Sequence, residues 1–404
     1  MPDVVVEIES LAPGGDAVGR QQEAPAAGRV TFVPLAAPGE RVGVHLVREK
    51  ARVAWGELTE IQRPGADRVA PRCPLFGECG GCQWQHVNLA AQHTAKKQIV
   101  ERALGIEIPP VIAAVPPFGY RDRARVTVAG AAVGFKARRS HDVVDVRECP
   151  LFSPALARTL PAVRALGANL PSGSELALQA GGEGVHVDVT HAGETAPTRA
   201  LCQRLWADLQ AAGVVGVSID GKPALGAATV DVTEVGGAPL LVPGGAFAQS
   251  GRTANAALVA AVMDAAGETP GAVIELCAGS GNFTRHLVRV ATSVRASDTD
   301  AAAVARGRRV APAATWSRRP PQVPPEPAAD LVLLDPPREG ADEETLAVAG
   351  KALRRVVYVS CDPQTLARDA RRLGAAGFRL TSAVALDLMP QTYHIEVVAI
   401  FDRP

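Results

Sequence analysis

A cysteine directly after an apolar run is the first residue whose position suggests chemistry. The run Arg355–Val359 has the apolar and β-branched residues of a buried strand, and "SCDP" follows it before a helical pattern begins. In an open α/β sheet, ligands are handled at the carboxyl ends of the strands. Cys361 is therefore a candidate nucleophile, although a free cysteine is more often a small buried hydrophobic residue.

Two further stretches place polar residues after strand-like runs. "GAVIELCAGSGNFTRHL" predicts a strand, a loop and a helix, and Gly279 and Gly281 in the loop let the backbone approach a cofactor. Asp298 follows the next strand, where a carboxylate suits a ribose diol or caps the following helix. "LLDPPREG" delivers Asp335 to the sheet edge, and its two prolines stiffen either the wall of a base pocket or a simple turn.

Four cysteines form a second candidate site. "CPLFGECGGCQWQH" contains Cys73, Cys79 and Cys82 with glycines between them, and Cys149 in "VRECPLF" is the candidate fourth ligand. Four thiolates indicate either a structural zinc or an iron–sulfur cluster. The uneven spacing does not match two paired zinc-knuckle halves, which favours the cluster.

The composition is that of a soluble protein with more than one domain. The chain has 404 residues, is 47% hydrophobic, and balances 42 Lys and Arg against 42 Asp and Glu. This balance excludes a uniformly basic nucleic-acid binder but allows a local basic patch. No secretory signal or membrane-spanning run is visible, and seven cysteines argue for metal or catalytic use rather than disulfides. We expect a cytoplasmic protein that acts as a monomer and away from membranes.

The periodicity changes twice along the chain, which predicts three domains. Residues 1–63 show five short strands with turns, typical of a small OB-like β-barrel. Residues 64–243 combine strand candidates with one clear helix at Thr198–Ala211, an α+β pattern. Residues 244–404 alternate helices and strands, as in a doubly wound α/β sheet. A Pro-, Arg- and Ala-rich stretch at 306–328 interrupts that pattern and predicts a loop or a degenerate helix.

In their order along the chain, these motifs resemble the S-adenosylmethionine-dependent RNA uracil-C5 methyltransferases, which include 23S rRNA and tRNA enzymes. The N-terminal barrel resembles their TRAM domain, and the cysteine stretches resemble their 4Fe–4S site. "FAQS", "GSGNFT", "LLDPPREG", "YVSCDPQTLARD" and "MPQTYHIEVVAIF" follow in the family's order. The resemblance covers nearly the whole chain. It implies a Rossmann-like methyltransferase domain, and it suggests that a helix at 88–105 packs with that domain.

The resemblance also implies roles for individual residues. Cys361 matches the nucleophile, and Glu396 matches the base in the ending "H-x-E". The matched cofactor-pocket positions are Gln249, Cys277, Asn282, Asp298 and Asp335. The matched cluster ligands are Cys73, Cys79, Cys82 and Cys149. The expected cofactors are therefore S-adenosylmethionine and a 4Fe–4S cluster, and the expected partner is RNA, with rRNA favoured over tRNA.

Four positions depart from the family's pattern. Cys277-Ala278 stand where relatives have an aromatic residue followed by cysteine, which predicts a thinner contact with the cofactor. Asp298 replaces a commoner glutamate and reaches less far, and Asp362 replaces the usual asparagine. The stretch 306–328 lacks an asparagine-rich segment, so one adenine contact is left unassigned.

A thiolate and a base in one pocket are what methylation of uracil at C5 requires. Addition of Cys361 to C6 makes the ring an enolate whose C5 attacks the sulfonium methyl group. A base must then remove the C5 proton before the thiol leaves. A uridine in paired RNA must first be turned out of its stack. The basic residues that could hold RNA phosphates are Arg121, Arg123, Arg125, Lys136, Arg138 and Arg139.

Three alternatives stay open at this point: a tRNA uridine-C5 methyltransferase, a cytosine-C5 methyltransferase, and a non-catalytic RNA-binding or assembly factor with a decayed pocket. A cytosine enzyme would need a Pro-Cys type motif and a carboxylate that protonates N3, whereas the "HIE" ending favours uracil. The presence of Cys361, Glu396, Gln249 and Asp335 argues against a decayed pocket.

Overall fold

Three β-sheets organise the chain in the computed structural model, which describes residues 3–22, 26–190, 195–234, 237–318 and 329–404. They are a closed five-stranded barrel, a seven-stranded sheet and an eight-stranded sheet, and a two-stranded hairpin accompanies them. No helix in these ranges has the length and apolarity needed to cross a membrane.

The barrel is formed by the first strands of the chain: β1 (Asp3–Leu11), β2 (Ala17–Gln21), β3 (Val30–Val33), β4 (Arg41–Glu49) and β5 (Val53–Arg63). It closes in the order β1-β2-β3-β5-β4, with β4 pairing back to β1. Val42, Val44 and Leu46 alternate into the barrel core. A Cβ on Gly56 would lie 2.3 Å from Val44, so only glycine fits there. A closed barrel is consistent with the expected OB-like unit, while its assignment as a TRAM domain stays a prediction.

Helix α1 (Leu89–Leu104) and the short strand β6 (Ile112–Ala113) follow the barrel. The seven-stranded sheet comes next: β7 (Arg123–Ala129), β8 (Ala132–Lys136), β9 (Val143–Asp145), β10 (Glu175–Ala180), β11 (Val185–Thr190), β12 (Val214–Ile219) and β13 (Lys222–Gly226). Its order is β13-β12-β11-β10-β7-β8-β9. Helices α2 (Pro154–Gly167), α3 (Thr195–Arg204) and α4 (Trp206–Ala211) contribute to the apolar core beside this sheet.

Two features of this unit differ from the prediction. The helix expected at Thr198–Ala211 is divided at Leu205 into α3 and α4. Helix α2 was not predicted, because Pro161 inside it reads as a helix breaker. It nevertheless buries Leu156, Leu160 and Val163, and the free energy of that apolar burial outweighs the local penalty.

The hairpin β14 (Thr229–Asp231) and β15 (Leu241–Pro243) precedes the eight-stranded sheet. The C-terminal strands are β16 (Ala272–Leu276), β17 (Ser293–Ser297), β18 (Thr315–Ser317), β19 (Leu331–Leu334), β20 (Arg355–Ser360), β21 (Arg379–Asp387) and β22 (Glu396–Asp402). The helices among them are α5 (Arg252–Ala266), α6 (Thr284–Leu287), α7 (Ala301–Val310), α8 (Glu343–Ala349) and α9 (Pro363–Ala375). Within the stretch predicted as a loop or a degenerate helix, the end of α7 and the strand β18 occupy part of residues 306–318, and 319–328 lie outside the described residues.

The eight-stranded sheet has the strand order of a doubly wound α/β fold. The order is β18-β17-β16-β19-β20-β22-β21-β6, and β16 to β20 are mutually parallel where they pair. From β16 the chain first extends the sheet on one side and then returns to extend it on the other. Such a reversal leaves a crevice at the carboxyl ends of the central strands. The end β22-β21 is antiparallel.

A buried ion pair fixes α1 on this sheet. Lys96 donates to Asp387 at the end of β21 over 2.6 Å, and neither side chain is more than 1% exposed. Removing one partner of such a pair typically costs about 3–5 kcal/mol. Helix α1 also packs on α9, and β6 pairs with β21. Although α1 and β6 fall within the predicted domain at residues 64–243, both therefore lie with the C-terminal sheet.

Candidate active site

Four neighbouring strands each place a polar side chain directly after their carboxyl end. Cys277 follows β16, Asp298 follows β17, Asp335 follows β19, and Cys361 follows β20. Because these strands are parallel and adjacent, the four residues meet at one edge of the sheet. Glu396, the first residue of the antiparallel β22, lies at the same edge.

One cavity of about 1060 Å³ opens at this edge. It is lined by all seven residues predicted for catalysis and cofactor binding: Gln249, Cys277, Asn282, Asp298, Asp335, Cys361 and Glu396. Ligand pockets commonly measure roughly 300–1,000 Å³, so this cavity has room for more than one small ligand. The strand-end pattern in the sequence predicted three of these residues, Asp298, Asp335 and Cys361, and the family resemblance supplied the other four.

Cys361 is held by the start of α9. Asp362 caps that helix, because its side chain accepts from the backbone N–H of Gln364 over 2.9 Å. Burial, together with the carboxyl groups of Glu396 and Asp335, raises the pKa of the Cys361 thiol to about 11. The Arg338 guanidinium opposes them. The thiol is therefore protonated unless a positive charge enters the cavity or the carboxyl groups lose their negative charge.

Glu396 and Asp335 are coupled carboxyl groups. Burial raises the pKa of Asp335 to about 7, and burial together with the charge of Asp335 raises the pKa of Glu396 well above its usual value. Two carboxylates this poorly solvated do not both ionise readily. The pair therefore shares a proton near neutral pH, and Glu396 can act as a base in the form in which Asp335 holds that proton and Glu396 is ionised.

The loop after β16 has left-handed backbone at three positions. Cys277 has φ +58°, Gly279 has φ +55° and Gly281 has φ +92°. A left-handed cysteine is costly, and such residues cluster at ligand sites. Burial and the charge of Asp298 raise the pKa of the Cys277 thiol to about 12, which makes it a poor nucleophile.

Asp298 and Gln249 keep hydrogen-bonding capacity toward the cavity. Each oxygen of Asp298 accepts one backbone N–H, from Gly279 and Asp300, both over 2.8 Å. Each oxygen retains a further lone pair for a diol. The side chain of Gln249 makes no hydrogen bond to another described residue, so its amide is available to a ligand.

Asn282, a predicted cofactor-pocket residue, lines the cavity and is also paired within the protein. Its amide makes two reciprocal hydrogen bonds with the amide of Asn255, over 2.9 and 2.8 Å. Both groups of the side chain are thus already engaged within the protein. Asn255, which the sequence analysis missed, also lines the cavity, and it lies one helical turn into α5, where no motif marks it.

Arg338 is a second residue that the sequence analysis missed. It lines the cavity, lies 3.5 Å from the Asp362 carboxylate and donates to the Tyr393 hydroxyl over 3.2 Å. Its position directly after "DPP" was the available signal, since that rigid loop aims it at the cavity.

The four predicted ligand cysteines line a second, narrow cavity of about 20 Å³: Cys73, Cys79, Cys82 and Cys149. None of them forms a disulfide. Burial raises the pKa of the Cys79, Cys82 and Cys149 thiols, and neighbouring cysteines also act to raise all three. Within the described residues, no group of three or more His, Cys, Asp or Glu side chains is arranged to hold a single metal ion.

Most of the predicted phosphate-binding cations have partners inside the protein. Arg121 is partly buried and lies beside the four cysteines, in the lining of the narrow cavity. Arg125 pairs with Glu175, and both Arg138 and Arg139 pair with Asp16. These pairs join different elements of the protein, and a role for the six cations in holding RNA phosphates stays a prediction. The remaining two are Arg123, which donates to the Ala248 carbonyl, and Lys136, which is exposed.

Comparison with known proteins gives consistent results across the chain. Residues 326–403 match the family model for tRNA (uracil-5-)-methyltransferases. The chain is 34% identical to an RNA methyltransferase of Caulobacter vibrioides, over 98% of this chain and 99% of that one. It is 32% identical to the 23S rRNA (uracil(1939)-C(5))-methyltransferase RlmD of Pectobacterium atrosepticum, over 99% and 93%. The fold matches the tRNA (uracil-54, C5)-methyltransferase of Pyrococcus abyssi, with TM-score 0.77, 23% identity and 98% and 99% coverage.

Proposed function

The chain belongs to the RNA uracil-C5 methyltransferase family, and from that premise we propose that it methylates C5 of one uridine in 23S rRNA with S-adenosylmethionine as donor. The observation that carries the proposal is the single cavity shared by Cys361, Glu396 and the cofactor residues. A tRNA substrate is the second candidate, because the matching family model is that of tRNA enzymes.

The residues present suit the cofactor. The free lone pairs of Asp298 suit a ribose diol, the left-handed loop at Gly279 and Gly281 lets backbone approach a ligand, and the unpartnered amide of Gln249 can bind a polar group. S-adenosylmethionine, when bound, supplies a methyl group on a positively charged sulfonium. A positive charge in the cavity favours the thiolate of Cys361 against the carboxyl groups that raise its pKa.

Cys361 and Glu396 divide the chemistry between them. The Cys361 thiolate adds to C6 of the uracil, which places electron density on C5 for attack on the methyl group. C5 then carries both the methyl group and its proton. Glu396 takes that proton, the C5–C6 double bond re-forms and the sulfur leaves C6. Burial at the start of a strand holds the Glu396 carboxyl in place for this step.

We propose that the four cysteines of the narrow cavity hold a 4Fe–4S cluster, because their uneven spacing in the sequence favours a cluster over paired zinc-knuckle halves. Cys73, Cys79, Cys82 and Cys149 would be its ligands, since four thiolates are the usual ligands of such a cluster. Arg121, which lines the same cavity, would supply a positive charge beside them.

The experiment that tests the substrate uses total RNA from a strain that lacks this protein. The purified protein and S-adenosylmethionine are added, and 5-methyluridine is mapped in 23S rRNA and in tRNA. We expect one new 5-methyluridine, in 23S rRNA. A new site in tRNA alone would support the second candidate, and a new 5-methylcytidine would contradict both.

A further inference from the structure

A buried ionic cluster lies directly behind the glycine-containing loop. Glu234, Arg285 and His286 form it: Arg285 bonds one carboxylate oxygen of Glu234, and His286 Nε2 lies 2.8 Å from the other. The Glu234 and Arg285 side chains are only 4% and 1% exposed. A second nitrogen of Arg285 donates to the carbonyl of Ala238. This cluster plays no part in the chemistry described above, and a buried charge group is costly to retain without a role.

The cluster holds Asn282 from two directions. Arg285 Nε donates to the Asn282 backbone carbonyl over 3.2 Å, and Arg285 Nη2 lies 3.4 Å from its side-chain oxygen. Asn255 donates to the Glu234 carboxylate over 3.5 Å while it makes its reciprocal amide pair with Asn282. Backbone and side chain of Asn282 are therefore both fixed through Glu234. Asn282 follows Gly281 in the loop that lines the cofactor side of the cavity.

Glu234 reaches this position from outside the eight-stranded sheet. It follows β14, whose Asp231 carbonyl accepts from the backbone N–H of Gly182 at the β10–β11 turn of the seven-stranded sheet over 3.1 Å. Arg252 of α5 donates to the Thr233 carbonyl over 2.8 Å. The segment from β14 to Glu234 is thus attached to the seven-stranded sheet through β14. It is attached to the loop of the eight-stranded sheet through the Glu234 carboxylate.

We propose that Glu234 is a positioning residue for the cofactor site, acting through Arg285 and Asn255 to hold Asn282 and the loop at 277–282 in their ligand-binding conformation. The inference rests on the proposed function, since it assigns the loop to S-adenosylmethionine. Loss of the carboxylate charge leaves Arg285 buried without its counter-ion and releases the loop. Removal of the Glu234 charge should therefore weaken cofactor binding and leave the chemical steps, which use Cys361 and Glu396, unchanged.

The test compares Glu234→Gln with Asp402→Asn. Asp402 forms a two-bond pair with Arg355 at the end of β20 opposite Cys361, where both side chains are 29% exposed, so its loss breaks a carboxylate–arginine pair away from the loop. We expect Glu234→Gln to raise the Kd for S-adenosylhomocysteine and the KM for S-adenosylmethionine about tenfold. The kcat at saturating cofactor should stay within twofold, and Asp402→Asn should leave all three values unchanged.

The inference would be overturned if Glu234→Gln left Kd and KM unchanged and lowered only kcat or the melting temperature. If Glu234→Gln does not fold, Arg285→Lys replaces it, because lysine keeps the charge but loses the fork that spans Glu234 and Asn282. A rise of about threefold or more in Kd supports the inference, and a smaller rise contradicts it. Wild-type protein that fails to bind S-adenosylhomocysteine would instead refute the proposed function.

Discussion

Glu396 and Asp335 face the same cavity, and the charge of Asp335 raises the pKa of Glu396. Both carboxyl groups are held away from water, so the folded protein binds protons that the unfolded chain would release. Asp335 and Glu396 thus reduce the free energy of unfolding at neutral pH. Such a cost is typical of residues kept for function.

The substitution Asp335→Asn should therefore stabilise the protein in a pH-dependent way. The pKa of Asp335 is about 7 in the folded state and 3.8 in its usual range, so stability falls as pH rises from about 4 to 7. The variant has no carboxyl group at this position, so it does not lose this part of its stability as pH rises. The free energy of unfolding of the variant minus that of wild type should be about 1–3 kcal/mol larger at pH 8 than at pH 4, so the variant gains stability relative to wild type as pH rises. Denaturant unfolding at the two pH values measures the difference.

The control for that measurement is Asp402→Asn. Its partner Arg355 lowers the pKa of Asp402, so ionisation of this carboxyl stabilises the folded state. The control should therefore lose stability at pH 8 relative to pH 4, the opposite sign. A difference between Asp335→Asn and wild type that is the same at both pH values would show that Asp335 is normally solvated.

Glu396→Gln should separate methyl transfer from elimination. The amide keeps the size of the side chain but cannot take the C5 proton, so methylated RNA should remain joined to the protein through Cys361. Turnover should fall more than about 10²-fold, the contribution a positioned base commonly makes. Denaturing gels with labelled RNA measure the joined species. Wild-type turnover with no such species would move the role elsewhere, with Asp362 the next candidate.

Replacement of Asp362 by asparagine, the usual residue of the family, should be tolerated, whereas replacement by alanine should not. Asparagine and aspartate both cap helices well, and Asp362 caps α9 through Gln364 and Thr365. Asp362→Asn should keep stability within about 0.5 kcal/mol of wild type, while Asp362→Ala should lose about 0.5–2 kcal/mol. Equal melting temperatures for the two variants would show that the cap contributes nothing.

The cysteine cavity should hold iron. Protein purified without oxygen should be brown and contain iron and sulfide in proportion to the chain. Cys149→Ser should lose most of that iron, whereas Cys202→Ser should retain it, because Cys202 is buried in the core beside the seven-stranded sheet. Stoichiometric zinc with no iron in the wild-type protein would refute the cluster and leave a thiolate zinc site.

The strand-end residues were predictable because they obey a local rule. An apolar run followed by a polar residue marks the carboxyl end of a buried strand, and adjacent parallel strands bring those ends together. Cys361, Asp335 and Asp298 could thus be placed from sequence patterns alone. Glu396 could not, because it begins an antiparallel strand whose direction the local pattern does not reveal; it was assigned from the family resemblance.

Partners distant in sequence were not predictable. The sequence suggested that Arg121 and Arg138 are surface cations, but tertiary contacts place Arg121 beside the cysteines and pair Arg138 with Asp16, 122 residues away in sequence. The amide pair between Asn255 and Asn282 likewise depends on how α5 packs against the loop. Periodicity and spacing carry no information on such contacts, since each side chain fits a solvated surface equally well.

The most direct test of the account is covalent capture with 5-fluorouridine in the RNA that the protein methylates. Fluorine at C5 cannot leave as a proton, so the adduct at C6 persists after methyl transfer and survives denaturation. We predict a stable complex with wild-type protein and S-adenosylmethionine, none with Cys361→Ser, and mass spectrometry that places the nucleotide on Cys361. The absence of a complex with an RNA that is otherwise methylated, or a nucleotide found on Cys277, would contradict the account.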